Sequence, residues 1–240
     1  MNFIGFLSLQ RVSIGSLEHV LPIIIAVSFS VLFIRYGKQS SNPKVKQNLF
    51  NGLTIFVSLT VFLYHFYHIF FKSYDFRTDL PLYLCSLMAL LIPIFSYYRK
   101  YWMFEILVFW IIAGTLQAVL TPDIAFGFPS FDYFRYWIVH LGLLSIIFYA
   151  IFVLEMRPRF KSVFISFFAL QLYVVFMVTI NFLLDANYFY LNEKPNSASL
   201  LDYFGEWPYY IIMTQLIIVP LFLIIYLGFY LSSLRKSFKI

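Results

Sequence analysis

Runs of about 20 consecutive apolar residues recur along this chain, and nothing else constrains its fold as tightly. A helix rises 1.5 Å per residue, so a run of that length crosses the roughly 30 Å hydrocarbon core of a bilayer. Seven such runs are read, over residues 17–34, 49–71, 80–98, 102–120, 134–154, 163–184 and 209–231. Each is too long for a buried strand, and none alternates apolar and polar residues as a membrane β-barrel strand does. Lipid offers the backbone no hydrogen-bonding partner, so a spanning segment must satisfy its own amides, as a helix can. The expected fold is all-α, a polytopic membrane protein whose seven transmembrane helices form a single domain over residues 1–240.

Composition points the same way. With 62% hydrophobic and 12% charged residues and a mean hydropathy of +0.83, the chain lies far from soluble usage, where about a quarter of residues are charged. A disordered chain, a coiled coil and a nucleic-acid-binding domain are excluded with it, so no nucleic-acid partner is expected. One cysteine, Cys85, allows no intramolecular disulfide and no multi-cysteine metal centre. Residues 1–12 lack the basic leader, apolar run and cleavage site of a signal peptide, so the first apolar segment is expected to be retained. There is no internal repeat, and seven spans do not divide into equal inverted halves, which weighs against a transporter.

Lys and Arg residues set the expected orientation, because cytoplasmic loops carry their excess. Twelve fall on one side: Arg35, Lys38, Lys44, Lys46, Arg99, Lys100, Arg157, Arg159, Lys161, Arg235, Lys236 and Lys239. Five fall on the other, Arg11, Lys72, Arg77, Arg135 and Lys194, together with nine of the eleven acids. The N-terminus is therefore expected outside and the C-terminus inside, in a multi-pass protein of the cell (plasma) membrane. The longest loop, about residues 185–208, leaves no room for an extramembrane domain, and nothing in the loops points to a protein partner.

Polar residues inside spans are costly, so their placement is informative. On this topology Cys85 lies about 7 Å and His140 about 9 Å below the outer surface, on the third and fifth spans. His65 and His68 share a face in the last turns of the second span, and Gln117 and Asp123 lie at the end of the fourth. Glu18 and His19 open the first span, while Asn181 and Asp185 close the sixth. All four histidines and the cysteine thus gather in the outer third, as one polar chamber would require. Elsewhere the aromatics, 22% of the chain, read as packing and interfacial belts, and the prolines as span ends and kinks.

Three chemistries fit this set. A Cys85 thiolate would attack an ester carbonyl while His140 takes the thiol proton and returns one to the leaving alcohol, with Asp123 or Glu18 orienting the ring. That scheme needs no cofactor. Alternatively, His65, His68 and His140 would hold zinc with an open position for water, making a lipid hydrolase without a nucleophilic cysteine. The third is non-enzymatic, a small-solute transporter or ligand sensor. No HExxH, phosphate-binding glycine loop or GxSxG elbow is present.

Several blocks of sequence carry a resemblance. They are Leu80-Pro-Leu-Tyr-Leu-Cys85, the run from Ala113 to Asp123, His140-Leu-Gly-Leu-Leu, Asp185-Ala-Asn-Tyr188, the run from Lys194 to Asp202, and Gly205-Glu-Trp-Pro-Tyr-Tyr210. In order and spacing they resemble the bacterial YwaF-type integral membrane proteins. The resemblance extends to eukaryotic relatives that carry one Cys and one His on separate helices and are regarded as acyltransferases of phospholipid remodelling. It implies that Cys85 is the acyl acceptor, His140 the base, and membrane phospholipid acyl chains the substrate. Gln117, Asn187, Tyr188 and Trp207 fit the family pattern and would line the pocket. Tyr83 and Ser86 depart from it, standing where many bacterial relatives are expected to have His and Asp.

Overall fold

The computed structural model describes residues 11–237, apart from the side chains of residues 234–237. The leader reading of residues 1–12 falls almost wholly outside the described residues, as do Lys239 and the side chains of Arg235 and Lys236. Among the described residues the secondary structure is all helical, in the order α1 (Leu17–Gln39), α2 (Pro43–Phe71), α3 (Leu84–Tyr98), α4 (Tyr101–Trp110), a π-helical turn (Ile111–Thr115), α5 (Leu116–Leu120), α6 (Phe131–Phe152), α7 (Phe160–Leu184) and α8 (Tyr209–Ser237). Short 3-10 turns occupy Tyr188–Tyr190 and Leu200–Phe204.

Capping explains where the helices depart from the apolar runs. Asn42 accepts from the Lys44 amide at 2.9 Å and Pro43 sits in the first turn, so α2 begins before its apolar stretch. Ser130 accepts from the Tyr133 amide at 3.1 Å and starts α6 at Phe131. Asp185, in the left-handed region at φ 52°, closes α7.

The largest departure is α3. Its run was read from residue 80, but the helix starts at Leu84. Pro81 supplies no amide and biases Leu80 away from helical geometry, and a turn closes from the Leu82 amide to the Leu80 carbonyl at 2.7 Å. Among the described residues six helices are long and apolar enough to cross a membrane, the third being the continuous α4–π–α5 rod, Tyr101–Leu120. With 15 residues, α3 is the shorter exception, about 22 Å long.

The centre of the bundle is α6, with 72% of its most apolar window buried, against 6% for α1 and for α8. It packs on α1, α2, α3, α5 and the π turn. Close approach needs small residues: a Cβ on Gly142 would stand 2.5 Å from Val57 Cγ2, and one on Gly37 2.8 Å from the Tyr149 ring. Around these contacts Phe50, Ile92, Phe95, Phe104, Val139 and Ile146 form an apolar core. Interhelical hydrogen bonds satisfy the polar groups within it, Ser30 to Ser145 at 2.6 Å and Thr54 to Ser96 at 2.8 Å.

Loops meet at both ends. At one, the Tyr149 hydroxyl reaches the Lys46 carbonyl and that of Tyr101 reaches the Arg157 carbonyl. Here too Glu105, 4% exposed, accepts from Ser162 at 2.7 Å and from Arg159 at 2.9 Å, joining α4 to α7. At the other, the histidine end, Tyr188 is fully buried between loops. Its hydroxyl donates to the Phe76 carbonyl at 2.7 Å and accepts from the Leu80 amide at 2.9 Å.

Candidate functional site

Cys85 is the second residue of α3, and the late start of that helix sets its surroundings. No side chain caps the N-terminus, and the first bond of the helix runs from the Leu87 amide to the Tyr83 carbonyl. The free amides of the first turn and the positive end of the helix dipole therefore lie at the Cys85 end of α3. The lead-in is held from afar: the Tyr173 hydroxyl on α7 donates to the Leu82 carbonyl, and Tyr188 holds Leu80.

The hydrogen-bond partner of the sulfur is Thr115, with Oγ1 at 3.9 Å. Thr115 is fully buried and is the last residue of the π turn, where the wider i to i+5 pitch rotates the rod that follows. This residue was not singled out from the sequence, although it lies in a quoted block. A π turn interrupting an otherwise apolar helix leaves no mark in hydropathy.

His140, on α6, is 8% exposed, and its Nδ1 lies 2.7 Å from the Tyr136 carbonyl of the preceding turn. A carbonyl only accepts, so Nδ1 carries the proton and Nε2 presents a lone pair. Among the described residues no hydrogen bond engages Nε2. The Tyr136 ring packs on the imidazole at 4.1 Å between centroids and lies within electrostatic range of Cys85. Cys85 and His140 are thus brought to neighbouring helices in contact, although no hydrogen bond joins the two side chains.

Among the described residues neither Asp123 nor Glu18 hydrogen-bonds His140. Asp123 pairs with Arg11 and accepts from the Tyr190 hydroxyl at 3.3 Å, while its amide donates to the Tyr136 hydroxyl at 3.3 Å. Glu18 contributes its carbonyl to the Tyr133 hydroxyl at 2.8 Å. The group that sets the tautomer of His140 is the backbone of Tyr136.

The other histidines serve different ends. His19 is buried with both nitrogens matched, Nδ1 accepting from the Gly15 amide and Nε2 donating to the Val119 carbonyl, each at 2.9 Å, which ties α1 to α5. His65 and His68 lie together on α2, with His68 against the Tyr64 ring at 4.3 Å. Among the described residues no group of three His, Cys, Asp or Glu is disposed to hold a metal ion, so His65, His68 and His140 are not drawn together as ligands.

Gln117 is half-buried and bonds Thr121 at 2.9 Å. Asn187 organises the long loop, its side-chain Oδ1 accepting from the Asn192 and Glu193 backbone amides. Trp207, 59% exposed, donates to the Leu191 carbonyl at 3.1 Å. These three, with Tyr188, brace the loops over the histidine end.

A family model, the TMEM164 family, matches residues 14–226, which include every element from α1 to most of α8. The chain belongs to the TMEM164 family. It is a membrane-embedded, multi-pass member, with Cys85 and His140 inside the matched region. No curated protein sequence and no solved structure matches it.

Proposed function

We propose that this TMEM164-family chain transfers or hydrolyses lipid acyl chains in the membrane, with Cys85 as nucleophile and His140 as base. The observation that carries the reading is the pairing of an uncapped helix N-terminus at Cys85 with a His140 whose Nε2 is left as a proton acceptor. Thiol pairs are often loose in an unliganded site and tighten when substrate binds.

In the first half-reaction the Cys85 thiol proton passes to His140 Nε2 and the sulfur attacks the ester carbonyl carbon. The tetrahedral intermediate collapses, the carbon–oxygen bond breaks, and the imidazolium returns its proton to the departing alkoxide, leaving a thioester on Cys85. In the second, a new alcohol or water gives its proton to Nε2, attacks the thioester, and the thiolate leaves and is reprotonated by His140. An alcohol acceptor makes the enzyme a transferase, and water makes it a hydrolase. No metal enters the scheme, and the partners are membrane lipids, phospholipid acyl chains foremost.

The same reading counts α3 as a span, which makes seven, and puts the histidine end in the outer leaflet of the plasma membrane with the basic end cytoplasmic, in line with the distribution of Lys and Arg. Substrate then enters sideways from lipid. Intact-protein mass spectrometry of the purified chain tests the mechanism. A fatty-acyl increment released by hydroxylamine is expected on the wild type and on neither Cys85→Ala nor His140→Ala. An activity on lipid esters that survives Cys85→Ala overturns it.

A further inference from the structure

Buried polar groups remain on α2 and α6 at the histidine end after the Cys85 and His140 pair is accounted for. Arg135, in the first turns of α6, has a side chain only 18% exposed. One Nη2 hydrogen goes to Asp132 Oδ1 at 2.7 Å, and the guanidinium stands 4.3 Å from the centre of the Tyr64 ring. Among the described residues its Nε is buried with no hydrogen-bond partner. Across on α2, His65 Nε2 is likewise buried and, among the described residues, unpartnered. The charge of Arg135 reaches His65, Cys85 and His140, so the guanidinium lies at the same end of the bundle as the proposed reacting groups.

An orphaned N–H is expensive where it is buried away from water. In native structures each such group calls for an explanation, and a bound partner is one. A guanidinium has five N–H donors in a rigid fork that suits the oxygens of a phosphate, and the single bond to Asp132 leaves most of them. Stacking on Tyr64 holds the plane without consuming a donor. His65 offers the complement. The Tyr74 hydroxyl spends its proton on the Asp79 carbonyl at 2.8 Å, so at 3.4 Å it only accepts from His65 Nδ1, and Nε2 keeps a lone pair.

The cluster therefore presents charged donors and one acceptor, flanked by Asp132 and by Asp79, whose charge reaches His65. A free phosphate dianion would meet both carboxylates. A lipid phosphodiester carries one charge and brings a hydroxyl or amine of its own. We propose that Arg135 and His65 bind the head group of a glycerophospholipid, Arg135 Nε–H donating to a phosphate oxygen and His65 Nε2 accepting from a head-group hydroxyl or amine. The assignment rests on the acyl-transfer reading in taking that lipid as the one presented to Cys85.

The test is thermal unfolding of the purified full chain in maltoside detergent, titrated with dihexanoylphosphatidylglycerol, dihexanoylglycerol or free glycerol 3-phosphate. Saturable stabilisation by the phospholipid is expected, tighter than by dihexanoylglycerol or glycerol 3-phosphate, with the apparent affinity weakened about tenfold or more in Arg135→Gln. Equal affinity for the phospholipid and dihexanoylglycerol in the wild type overturns the proposal and needs no variant. So does equal phospholipid affinity in wild type and Arg135→Gln. Glycerol 3-phosphate binding as tightly as the phospholipid overturns the lipid assignment in favour of a free phosphate ester.

The two readings fail separately. If a neutral activated ester, p-nitrophenyl palmitate, never acylates Cys85 while phospholipid binding depends on Arg135, the acyl chemistry falls and the head-group site stands. If phospholipid loads Cys85 equally in wild type and Arg135→Gln, the chemistry stands and the site falls.

Discussion

His140 Nδ1 lies 2.7 Å from the carbonyl oxygen of Tyr136, one turn earlier on the same helix. A backbone acceptor thus fixes the ring tautomer, which an acid does in many nucleophile–histidine pairs, and in the proposed mechanism Nε2 is the atom that takes the proton.

His140→Ala is expected to slow acyl loading of Cys85 by about 10²–10⁴-fold, the usual range for losing a positioned base. The fold should tolerate the change, because the Tyr136 carbonyl keeps its helical bond. Loading rate by mass spectrometry and the unfolding midpoint of the same preparation check both halves. An unchanged loading rate would falsify the role of His140.

Thr115→Val removes the hydroxyl 3.9 Å from the Cys85 sulfur while nearly keeping side-chain shape. Loading is expected to fall up to about tenfold, in line with the loss of one hydrogen bond of about 1 kcal/mol, and Thr115→Ser should restore it. A purely packing role would instead shift the unfolding midpoint in both variants and leave the loading rate alone.

Gly142→Ala drives a methyl group into Val57, since the added Cβ would stand 2.5 Å from Cγ2. Overpacking at this seam should destabilise the bundle by about 1–3 kcal/mol. Adding Val57→Ala should recover part of that loss. Unfolding of the single and double variants in detergent measures the coupling.

Glu105→Ala leaves the buried Ser162 hydroxyl without its acceptor and frees the half-exposed Arg159. The expected cost is about 1–3 kcal/mol, mostly from the buried hydroxyl because the exposed guanidinium is screened. Glu105→Gln, which keeps an acceptor for Ser162, should cost less, as thermal unfolding of the two variants will show.

Orientation has its own check. In a Cys85→Ala background on intact cells, a membrane-impermeant maleimide should label Ser73→Cys directly, and Ser41→Cys only after permeabilisation. The reverse pattern would invert the topology.

Hydropathy alone was enough for the all-helical membrane fold, because the cost of an unsatisfied backbone in lipid leaves a run of apolar residues one way to fold. Local chemistry was legible too: Asn42 with Pro43 and Ser130 mark the starts of α2 and α6. Cys85 and His140 stood out because a polar side chain within an apolar run is rare. Their partners did not. A span apolar on every side, such as α7, carries no periodicity to say which face meets a neighbour.

Only packing could bring Thr115 to Cys85 through a π turn, or set the first turn of α3 using hydroxyls 91 and 108 residues away in Tyr173 and Tyr188. Arg135 shows the same limit. Counted by position, it is one more loop cation. Its burial against Tyr64 follows from α2 and α6 packing side by side, a contact between distant segments that no local pattern encodes.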